Sequence, residues 1–392
     1  MNNSLSPWPA FTQVEAEAVS KVLLSNRVNY WTGEEGKKFE EGFANWCGTD
    51  YAIAVANGTV ALDLALKALE IGPGDEVVVT PRSFIASVSC VVNAGAIPVF
   101  ADVDLNSGNI TADTIQEKLS HKTKAIICVH LAGHPCEMDE IMHLAQQSNL
   151  YVIEDCAQAH GAKYKGQSVG SIGDVGCYSF CQDKIMTTGG EGGIVVTNSK
   201  SLWNKMWSYK DHGKSYAAVY EKQHSPGFRW LHESFGTNWR MTEMQATIGR
   251  IQLKRMHKWH QQRSENAKVI MDACAQFSQI IRLPVVDSLV EHAWYKLNVY
   301  VKSSSLKDGW SRERIADEIN RLGVPCYYGS CSEIYLEKAF GQYFRPEQRL
   351  LNAKELGETT LMFLVHPTLT QGDLQKTCQA IKIVLQSAVK AT

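Results

Sequence analysis

Lys184 stands in front of a stretch of small residues, and its amine is the first candidate for chemistry. It follows the probable strand GDVGCYSF and precedes TTGGEGG, which leads into another run of β-branched residues. Most lysines are solvated surface charges, so a loop cation is the ordinary interpretation. However, small neighbours let a planar ligand approach an amine, and burial lowers the pKa of an amine toward nucleophilic use. Lys184 is therefore a candidate nucleophile at a ligand site.

A pair of carboxylates ends an otherwise apolar run and is the second candidate. Glu154 and Asp155 close the strand-like part of VIEDCAQAHGA. Because successive side chains of a strand face opposite ways, one of the two must point inward or toward the crevice at the strand end. An unpaired buried carboxylate is costly, so Asp155 is expected to meet a cation. A structural salt bridge is the alternative.

The sequence ANGTV offers a candidate site for an anion, because it passes from a predicted strand into a predicted helix. Its central residues are Asn57, Gly58 and Thr59. A helix N-terminus with a glycine and a hydroxyl offers free amides and a positive dipole end to a phosphate. An ordinary N-cap at Asn57 is the alternative.

Other familiar chemical motifs are missing or poorly spaced. The chain has no G-x-x-x-x-G-K-[ST], and GSIGDVG lacks the G-x-G-x-x-G spacing of a dinucleotide fold. Cys128, His130, His134 and Cys136 could form a metal set. They begin on a strand whose alternate residues diverge, however, and their spacing matches no standard zinc pattern. The sequence therefore predicts no metal site.

Alternating strands and helices must position these candidates. From residue 51 to about 200, short β-branched runs alternate with helical patterns, for example YAIAVA before GTVALDLALKALE. Strand runs that are apolar on both faces predict a largely parallel sheet covered by helices on two sides. Such sheets bind ligands beyond the carboxyl ends of their strands, where all three candidates stand.

The pattern changes after about residue 240. The stretch 241–277 is amphipathic, contains no proline and predicts one long helix, with a kink allowed. The run AWYKLNVYVKS (293–303) predicts a strand. We therefore expect a large α/β domain over residues 1–250 and a smaller α+β domain over residues 251–392.

Length, composition and charge narrow the class of protein. The 392 residues are 44% hydrophobic and 20% charged, which is typical of a soluble globular protein with two domains. A net charge of −2 gives no electrostatic case for nucleic acid or an anionic membrane. The N-terminus lacks the pattern of a signal peptide, and no apolar run is long enough to span a membrane. The eleven cysteines are then expected to be free thiols in a reducing cytoplasm.

Five ordered blocks of the chain resemble the DegT/DnrJ/StrS family of sugar aminotransferases: VANGTVALDLALKAL, GDEVVVTPRSFIASVSCVVNAGAIPVFADVD, VIEDCAQAHGA, SFCQDKIMTTGGEGG and NWRMTEMQATIGRIQL. The resemblance covers most of the chain and is strongest between about residues 30 and 255. It implies an α/β protein of the pyridoxal 5′-phosphate (PLP) transferase fold type I. Such a fold has a mostly parallel seven-stranded sheet between helices and a smaller C-terminal α+β domain. The three candidate sites match the phosphate, ring nitrogen and aldehyde of PLP, which is the implied cofactor.

The resemblance implies roles for residues around the cofactor ring. Lys184 would form a Schiff base with the aldehyde and then move a proton between the cofactor and the substrate carbon. Asp155 would pair with the ring nitrogen and keep the ring an electron sink. Gln158 would lie near the ring hydroxyl, and Phe84 would stack on the ring face.

The resemblance also implies roles around the cofactor phosphate. Gly58 and Thr59 would hold it with backbone amides, helped by the hydroxyl of Ser179. Asn238 would reach it from the neighbouring subunit. A homodimer with a shared active site is therefore implied.

The chain departs from the common family pattern at two places. Cys181 stands where many members carry histidine, and TTGGEGG is one residue longer than the usual TTGEGG. Both departures lie beside the cofactor and bear on the substrate side of the site. Family dehydratases that remove a sugar hydroxyl carry histidine in place of the lysine, so Lys184 favours transamination.

The implied reaction moves an amino group from glutamate to a keto-sugar nucleotide. The ketone would stand at position 3 or 4 of a sugar expected to be 6-deoxy, and the amino sugar would serve a surface polysaccharide or related glycan. Tyr30, Trp31 and His212 are candidate substrate contacts, against the alternatives of packing for the first two and a solvated loop for the third. A cyclitol or antibiotic-precursor ketone is the alternative substrate. A non-catalytic, PLP-binding regulatory protein is the alternative function.

Overall fold

The computed structural model describes residues 5–224, 227, 229–341 and 343–390. Over these residues the strands are β1 (Tyr51–Val55), β2 (Glu76–Val79), β3 (Ile97–Phe100), β4 (Thr123–Val129), β5 (Tyr151–Asp155), β6 (Lys163–Tyr164), β7 (Gln167–Ser168), β8 (Val175–Ser179), β9 (Gly193–Thr197), β10 (Ile281–Arg282), β11 (Val290–Glu291), β12 (Leu297–Val301), β13 (Cys326–Tyr327) and β14 (Thr360–Phe363).

The larger sheet carries the candidate site. Within the described ranges it has seven strands in the order β1-β9-β8-β5-β4-β2-β3. The pairs from β8 through β5, β4 and β2 to β3 are parallel, whereas β9 runs antiparallel to both β1 and β8. Every residue of β8 and β9 is buried, as expected for strands covered on both faces. The predicted α/β fold with a mostly parallel sheet is confirmed.

Helices cover this sheet and form the rest of the chain. Over the same residues they are α1 (Gln13–Leu24), α2 (Glu35–Cys47), α3 (Gly58–Ala68), α4 (Ala86–Asn93), α5 (Ala112–Gln116), α6 (Met138–Ser148), α7 (Lys200–Lys210), α8 (Tyr216–Tyr220), α9 (Glu243–Leu253), α10 (Met256–Ala275), α11 (Arg312–Arg321), α12 (Leu351–Thr359) and α13 (Gln371–Ala388).

The long amphipathic stretch after residue 240 is two helices, α9 and α10, rather than one. The chain breaks at Lys254 and Arg255, where ψ rises to −18° and −9°. At this break the guanidinium of Arg255 donates a 2.6 Å hydrogen bond to Glu15 of α1. Periodicity alone does not reveal the break, since the amphipathic pattern continues through it.

A second sheet lies toward the C-terminus, with the strand order β10-β12-β14-β13 and antiparallel pairing throughout. Its hydrophobic core includes side chains from α10, α11 and α13. The segment that contains Tyr335 and Leu356, however, packs into the core of the large sheet. The division of the chain near residue 250 stays a prediction.

The carboxyl ends of the parallel strands converge on one edge of the large sheet. β5 ends at Asp155, the neighbouring β8 ends at Ser179, and α3 begins shortly after β1. The three candidates therefore meet at the edge where parallel sheets bind ligands. Among the described helices, none is both long and apolar enough to cross a membrane.

Candidate active site

A cavity of about 980 Å³ opens at this edge of the large sheet. All the predicted cofactor-binding residues except Asn238 line it: Gly58, Thr59, Phe84, Asp155, Gln158, Ser179 and Lys184. Two loops from the C-terminal part of the chain close its other side, around Tyr295 and Cys331. The cavity thus combines an amine, a buried carboxylate and a helix start.

Lys184 is half-buried in the loop that follows β8, and its backbone is held from two sides. Its N–H donates to the carbonyl oxygen of Cys181 at 3.1 Å. Its own carbonyl oxygen accepts a 2.8 Å hydrogen bond from the indole Nε1 of Trp8. Its amine lies 5.1 Å from the ring centroid of Tyr295. The side chain can therefore reach a ligand while its backbone stays fixed.

The segment around Trp8 is itself anchored to the C-terminal part of the chain. Ser6 Oγ donates to Asp373 at 2.6 Å, and the Thr368 hydroxyl donates to the carbonyl of Pro7 at 2.7 Å. The Trp8 ring also stacks on His366 at 6.1 Å. The first residues of the chain thus connect the lysine loop to α13 and the turn before it.

The small residues after Lys184 shape the loop. Gly190 has a φ of 127°, a conformation that side chains rarely adopt. A Cβ at Gly193 would lie 2.3 Å from the carbonyl oxygen of Asn57, so only glycine lets β9 approach the start of α3 this closely. Thr187 ties the loop to the preceding strand end by donating to the Phe180 carbonyl at 2.9 Å. The loop therefore joins the lysine to the helix start.

Asp155 and Glu154 have different environments. Asp155 is buried at the cavity wall, and its Oδ2 accepts a 2.7 Å hydrogen bond from the Ser87 hydroxyl. Its Oδ1 accepts from the backbone N–H of Ala157 at 3.1 Å. Among the described side chains it has no ion-pair partner, which leaves a ligand as the source of the cation that the sequence predicts.

Glu154 faces the opposite side of the sheet and is completely buried. Its carboxylate accepts hydrogen bonds from the backbone N–H groups of Gly170, Ile172 and Gly173 at 2.6–2.8 Å, and it contacts His130 at 3.0 Å. These bonds use its lone pairs and tie β5 to the turn before β8. Glu154 is therefore structural.

The start of α3 lies against the end of β8. The Asn57 side chain accepts from the Val60 N–H at 3.0 Å, so Asn57 is the N-cap. Gly58 and Thr59 form the first turn, where backbone N–H groups have no partner within the helix. A Cβ at Gly58 would lie 2.5 Å from the Cβ of Ser179. Asn57 can therefore cap the helix while the backbone N–H groups of the same first turn remain available to an anion.

We expect Gly58→Ala to weaken phosphate and cofactor binding at least tenfold, because the new methyl group must displace Ser179 or the helix start. Isothermal titration of the apoprotein with PLP measures this affinity. Gly42→Ala is the matched control, since its Cβ meets only a 3.6 Å contact with Leu253. Equal affinities in the two variants would contradict the assignment of this helix start.

Two more predicted residues stand at the cavity wall. Gln158 is buried and accepts a 2.8 Å hydrogen bond from the Ala132 N–H through Oε1, which leaves its amide N–H groups as donors. Phe84 is 65% exposed and lies just before α4. An open aromatic face and a free amide donor fit a planar, polar ligand.

Comparison with known proteins identifies the family of the chain. Residues 9–382 match the DegT/DnrJ/EryC1/StrS aminotransferase family. The chain belongs to this family. Members of the family depend on PLP, the relatives of this chain are sugar transaminases, and this chain is a PLP-dependent aminotransferase.

Individual relatives resemble the chain over nearly its whole length. The solved structure of an aminotransferase from Psychrobacter cryohalolentis is 64% identical, with a TM-score of 0.97 over 97% of this chain and 99% of that chain. GDP-perosamine synthase of Escherichia coli O157:H7 is 35% identical over 95% of this chain and 96% of its own. A dTDP-3-amino-3,4,6-trideoxy-alpha-D-glucose transaminase of Streptomyces venezuelae is 31% identical over 95% and 93%.

The residues of this aminotransferase fit the cofactor. The buried carboxylate of Asp155 has no cationic partner among the described side chains and suits a protonated ring nitrogen. The first turn of α3 and the Ser179 hydroxyl suit a phosphate. The amine of Lys184 suits an aldehyde.

Asn238 and His212 lie on a neighbouring surface segment, outside the cavity of their own chain. Asn238 is exposed and forms an antiparallel bridge with Asp211. His212 is exposed, has a φ of 60°, and its N–H donates to the carbonyl of Thr237 at 2.9 Å. Neither side chain lines the cavity formed by the described residues of one protomer.

Tyr30 and Trp31 also lie away from the cavity. Tyr30 is buried, donates its hydroxyl proton to Glu40 at 3.0 Å, and has the amine of Lys210 3.9 Å from its ring centroid. Burial beside Glu40 raises the pKa of Tyr30 well above its usual value. Trp31 packs with the Lys214 amine 4.0 Å from its ring. Within one protomer both aromatics have packing roles.

The two histidines of the set weighed for a metal have other partners. His130 accepts the Cys136 N–H at Nδ1 (3.0 Å), so its Nε2 carries the proton that it donates to Glu154. His134 lies against His292, and burial lowers the pKa of His134 to about 4. Cys156 completes the one group of three metal-type ligands found in the described residues, with His130 and Glu154. Because the histidine and carboxylate are already hydrogen-bonded, this group serves the fold.

Sequence patterns missed several residues of the site. Trp8, Tyr295 and Lys296 line the cavity, and Ser87 binds Asp155.

The run AWYKLNVYVKS predicted a strand from residue 293, but β12 begins only at Leu297. The residues before it are irregular because Trp294 has a φ of 50° and its neighbours' N–H groups bond to the loop at 132–133. The adjacent Tyr295 and Lys296, just before β12, were the one sequence signal that could have identified this part of the site.

Proposed function

We propose that the protein transfers the amino group of glutamate to a keto-sugar nucleotide. The product is an amino sugar for a surface polysaccharide or related glycan, and the substrate ketone is at position 3 or 4 of a sugar expected to be 6-deoxy. The observation that carries the proposal is the meeting of Lys184 and Asp155 at one cavity. The curated relatives support the substrate class, since their names refer to GDP- and dTDP-linked amino sugars.

The residues of the chain divide the work of transamination. PLP, when bound, supplies the electron sink that makes the substrate C–H bond acidic. The amine of Lys184 would take this proton from the donor carbon and deliver it to the carbon on the other side of the transferred nitrogen. Asp155, positioned by Ser87, holds a proton on the ring nitrogen. Trp8 keeps the lysine loop in place by binding its carbonyl.

A panel of ketones offered with glutamate tests this function. It should contain 3-keto and 4-keto sugars linked to GDP, UDP and dTDP, with an inosose to represent cyclitols. We expect 2-oxoglutarate and an amino sugar nucleotide from at least one nucleotide-linked ketone. Conversion of the inosose alone would support the alternative cyclitol substrate. A cofactor absorption band that glutamate leaves unchanged would support the regulatory alternative.

The homodimer belongs to the same proposal. Asn238 is exposed outside the cavity of its own chain, and its near neighbour Phe235 is 97% exposed. Aromatic residues are enriched in the buried cores of interfaces, so a partner that covers Phe235 would also lie close to Asn238. Asn238 of one protomer would then complete the phosphate site of the other.

Mixing two defective variants tests the shared site. Lys184→Ala and Asn238→Ala are each expected to be nearly inactive as homodimers. After subunit exchange, activity should return to about a quarter of wild type, because half of the dimers are mixed and each of these carries one intact site. If each site belonged to one chain, the mixture would stay as inactive as its components.

A cytoplasmic location and the absence of nucleic-acid and membrane partners are the remaining parts of this proposal. All eleven cysteines are free thiols, and most of them are buried, which supports a reducing compartment. A thiol titration of the denatured protein, purified without reductant, measures how many are free.

A further inference from the structure

A second lysine lines the same cavity as Lys184. Lys296 lies just before β12, and its amine is 4.8 Å from the ring centroid of Tyr295. The amine of Lys184 lies 5.1 Å from the same centroid. One tyrosine ring therefore adjoins both amines, and a small molecule bound at Lys184 lies within reach of Lys296.

The amine of Lys296 lacks an anionic partner. Among the described residues no carboxylate forms an ion pair with it, and Asp183, the one carboxylate whose charge acts on it, accepts the hydroxyl proton of Tyr295 at 2.5 Å. Burial lowers the pKa of Lys296 to about 8; the negative charge of Asp183 opposes this shift, and the positive charges of Arg263 and Lys184 add to it. Other ionisable groups face it from the neighbouring elements: Arg82, His134, His292, Tyr295 and His366.

A desolvated cation that faces a cavity without a counterion is completed by a bound anion. The reaction brings two kinds of anion into this cavity, the carboxylates of the amino donor and the diphosphate of the sugar nucleotide. The donor nitrogen must come to the place of the Lys184 amine, so the donor carboxylates are only a few bonds from it. The diphosphate is separated from the reacting ketone by the sugar ring. Proximity of the two lysines therefore favours the donor.

We propose that Lys296 binds a carboxylate of the amino donor and so fixes the dicarboxylic acid in the first half of the reaction. This assignment rests on the proposed function for the identity of the donor. It gives Lys296 a binding role that Lys184 does not have, since Lys184 must remain free to exchange with the donor nitrogen.

Equilibrium binding of glutarate, an unreactive dicarboxylate of the same length, tests this assignment without turnover. Calorimetric titration of the PLP-loaded protein at pH 7 should show affinity reduced roughly 10- to 100-fold in Lys296→Met, since a hydrogen bond to a charged group is lost. Lys296→Arg should retain most of the affinity. Lys382→Met, which changes an exposed lysine on α13, is the matched control and should bind like wild type.

The pH dependence gives a second measurement on the unaltered protein. The amine is charged below its pKa of about 8 and loses its charge above it, so glutarate affinity should fall as the pH rises through about 8. Lys296→Arg should remove this fall because a guanidinium stays charged. Equal glutarate affinity in wild type and Lys296→Met, or a flat wild-type profile, would overturn the proposal.

Binding of GDP, UDP and dTDP separates the two anion sources. We expect their affinities to be the same in wild type and Lys296→Met. A loss confined to the nucleoside diphosphates would overturn the assignment to the donor. Failure of the proposed function can be told apart from failure of this assignment. In that case the wild-type protein would not aminate a sugar, whatever the glutarate titrations show.

Discussion

Lys184→Ala is expected to lower the rate of transamination by about four orders of magnitude or more. The variant loses both the covalent attachment of the cofactor and the amine that moves the proton, and the proton transfer alone contributes about 10²–10⁴-fold. The rate is measured as glutamate-dependent formation of the amino sugar. Borohydride reduction of the wild-type protein followed by peptide mapping should place the cofactor on residue 184.

Lys296→Met is the matched control for this experiment, because it removes the other amine of the cavity. We expect it to keep the reducible link at Lys184 and to lose donor affinity instead. If reduction labelled Lys296, or if Lys184→Ala retained the label and the rate, the assignment of the nucleophile would be wrong.

Asp155→Asn is expected to slow the reaction by roughly two to three orders of magnitude while the cofactor still binds, since one preorganised electrostatic interaction is lost. Asparagine retains the shape of the side chain and the bond with Ser87, but its amide cannot hold a proton on the ring nitrogen. Single-turnover absorbance after mixing with glutamate measures the slow step. Wild-type kinetics in this variant would exclude the ring-nitrogen role.

Glu154→Gln, at the residue next to Asp155, is expected to lower stability and to leave the rate almost unchanged. Its carboxylate accepts three backbone N–H groups, which a glutamine amide cannot replace in full. The melting temperature should therefore fall, because each hydrogen bond to a charged group contributes about 1.5–3 kcal/mol. The rate per folded, PLP-loaded molecule should change little.

The main sheet could be predicted because its strands are short apolar runs separated by helical patterns. The direction of β9 could not, since GIVVTN reads the same in a parallel or an antiparallel strand. The position of the break between α9 and α10 also escaped prediction, because the amphipathic pattern continues through Lys254 and Arg255. Local pattern thus gives the elements, and contacts between distant residues set their direction and ends.

The candidate site divides in the same way. Asp155 ends β5, and Lys184 lies in the loop that follows β8. Because sheets of this kind bind ligands at this edge, polar residues there can be recognised as candidates from the sequence. Tyr295 and Lys296 come from the other part of the chain, and no local pattern marks them as neighbours of Lys184. Tyr30 and Trp31 show the opposite case, since aromatic residues suited to a sugar are used within one protomer to cover Lys210 and Lys214.

The indole of Trp8 has a practical consequence for protein production. Because it donates a hydrogen bond to the carbonyl of Lys184, and its own segment is held near α13, removal of the first eight residues would release the loop that contains Lys184, 176 positions further along the chain. A bulky affinity tag placed at this segment would also loosen the loop that contains Lys184. Purification handles are therefore better placed elsewhere on the molecule.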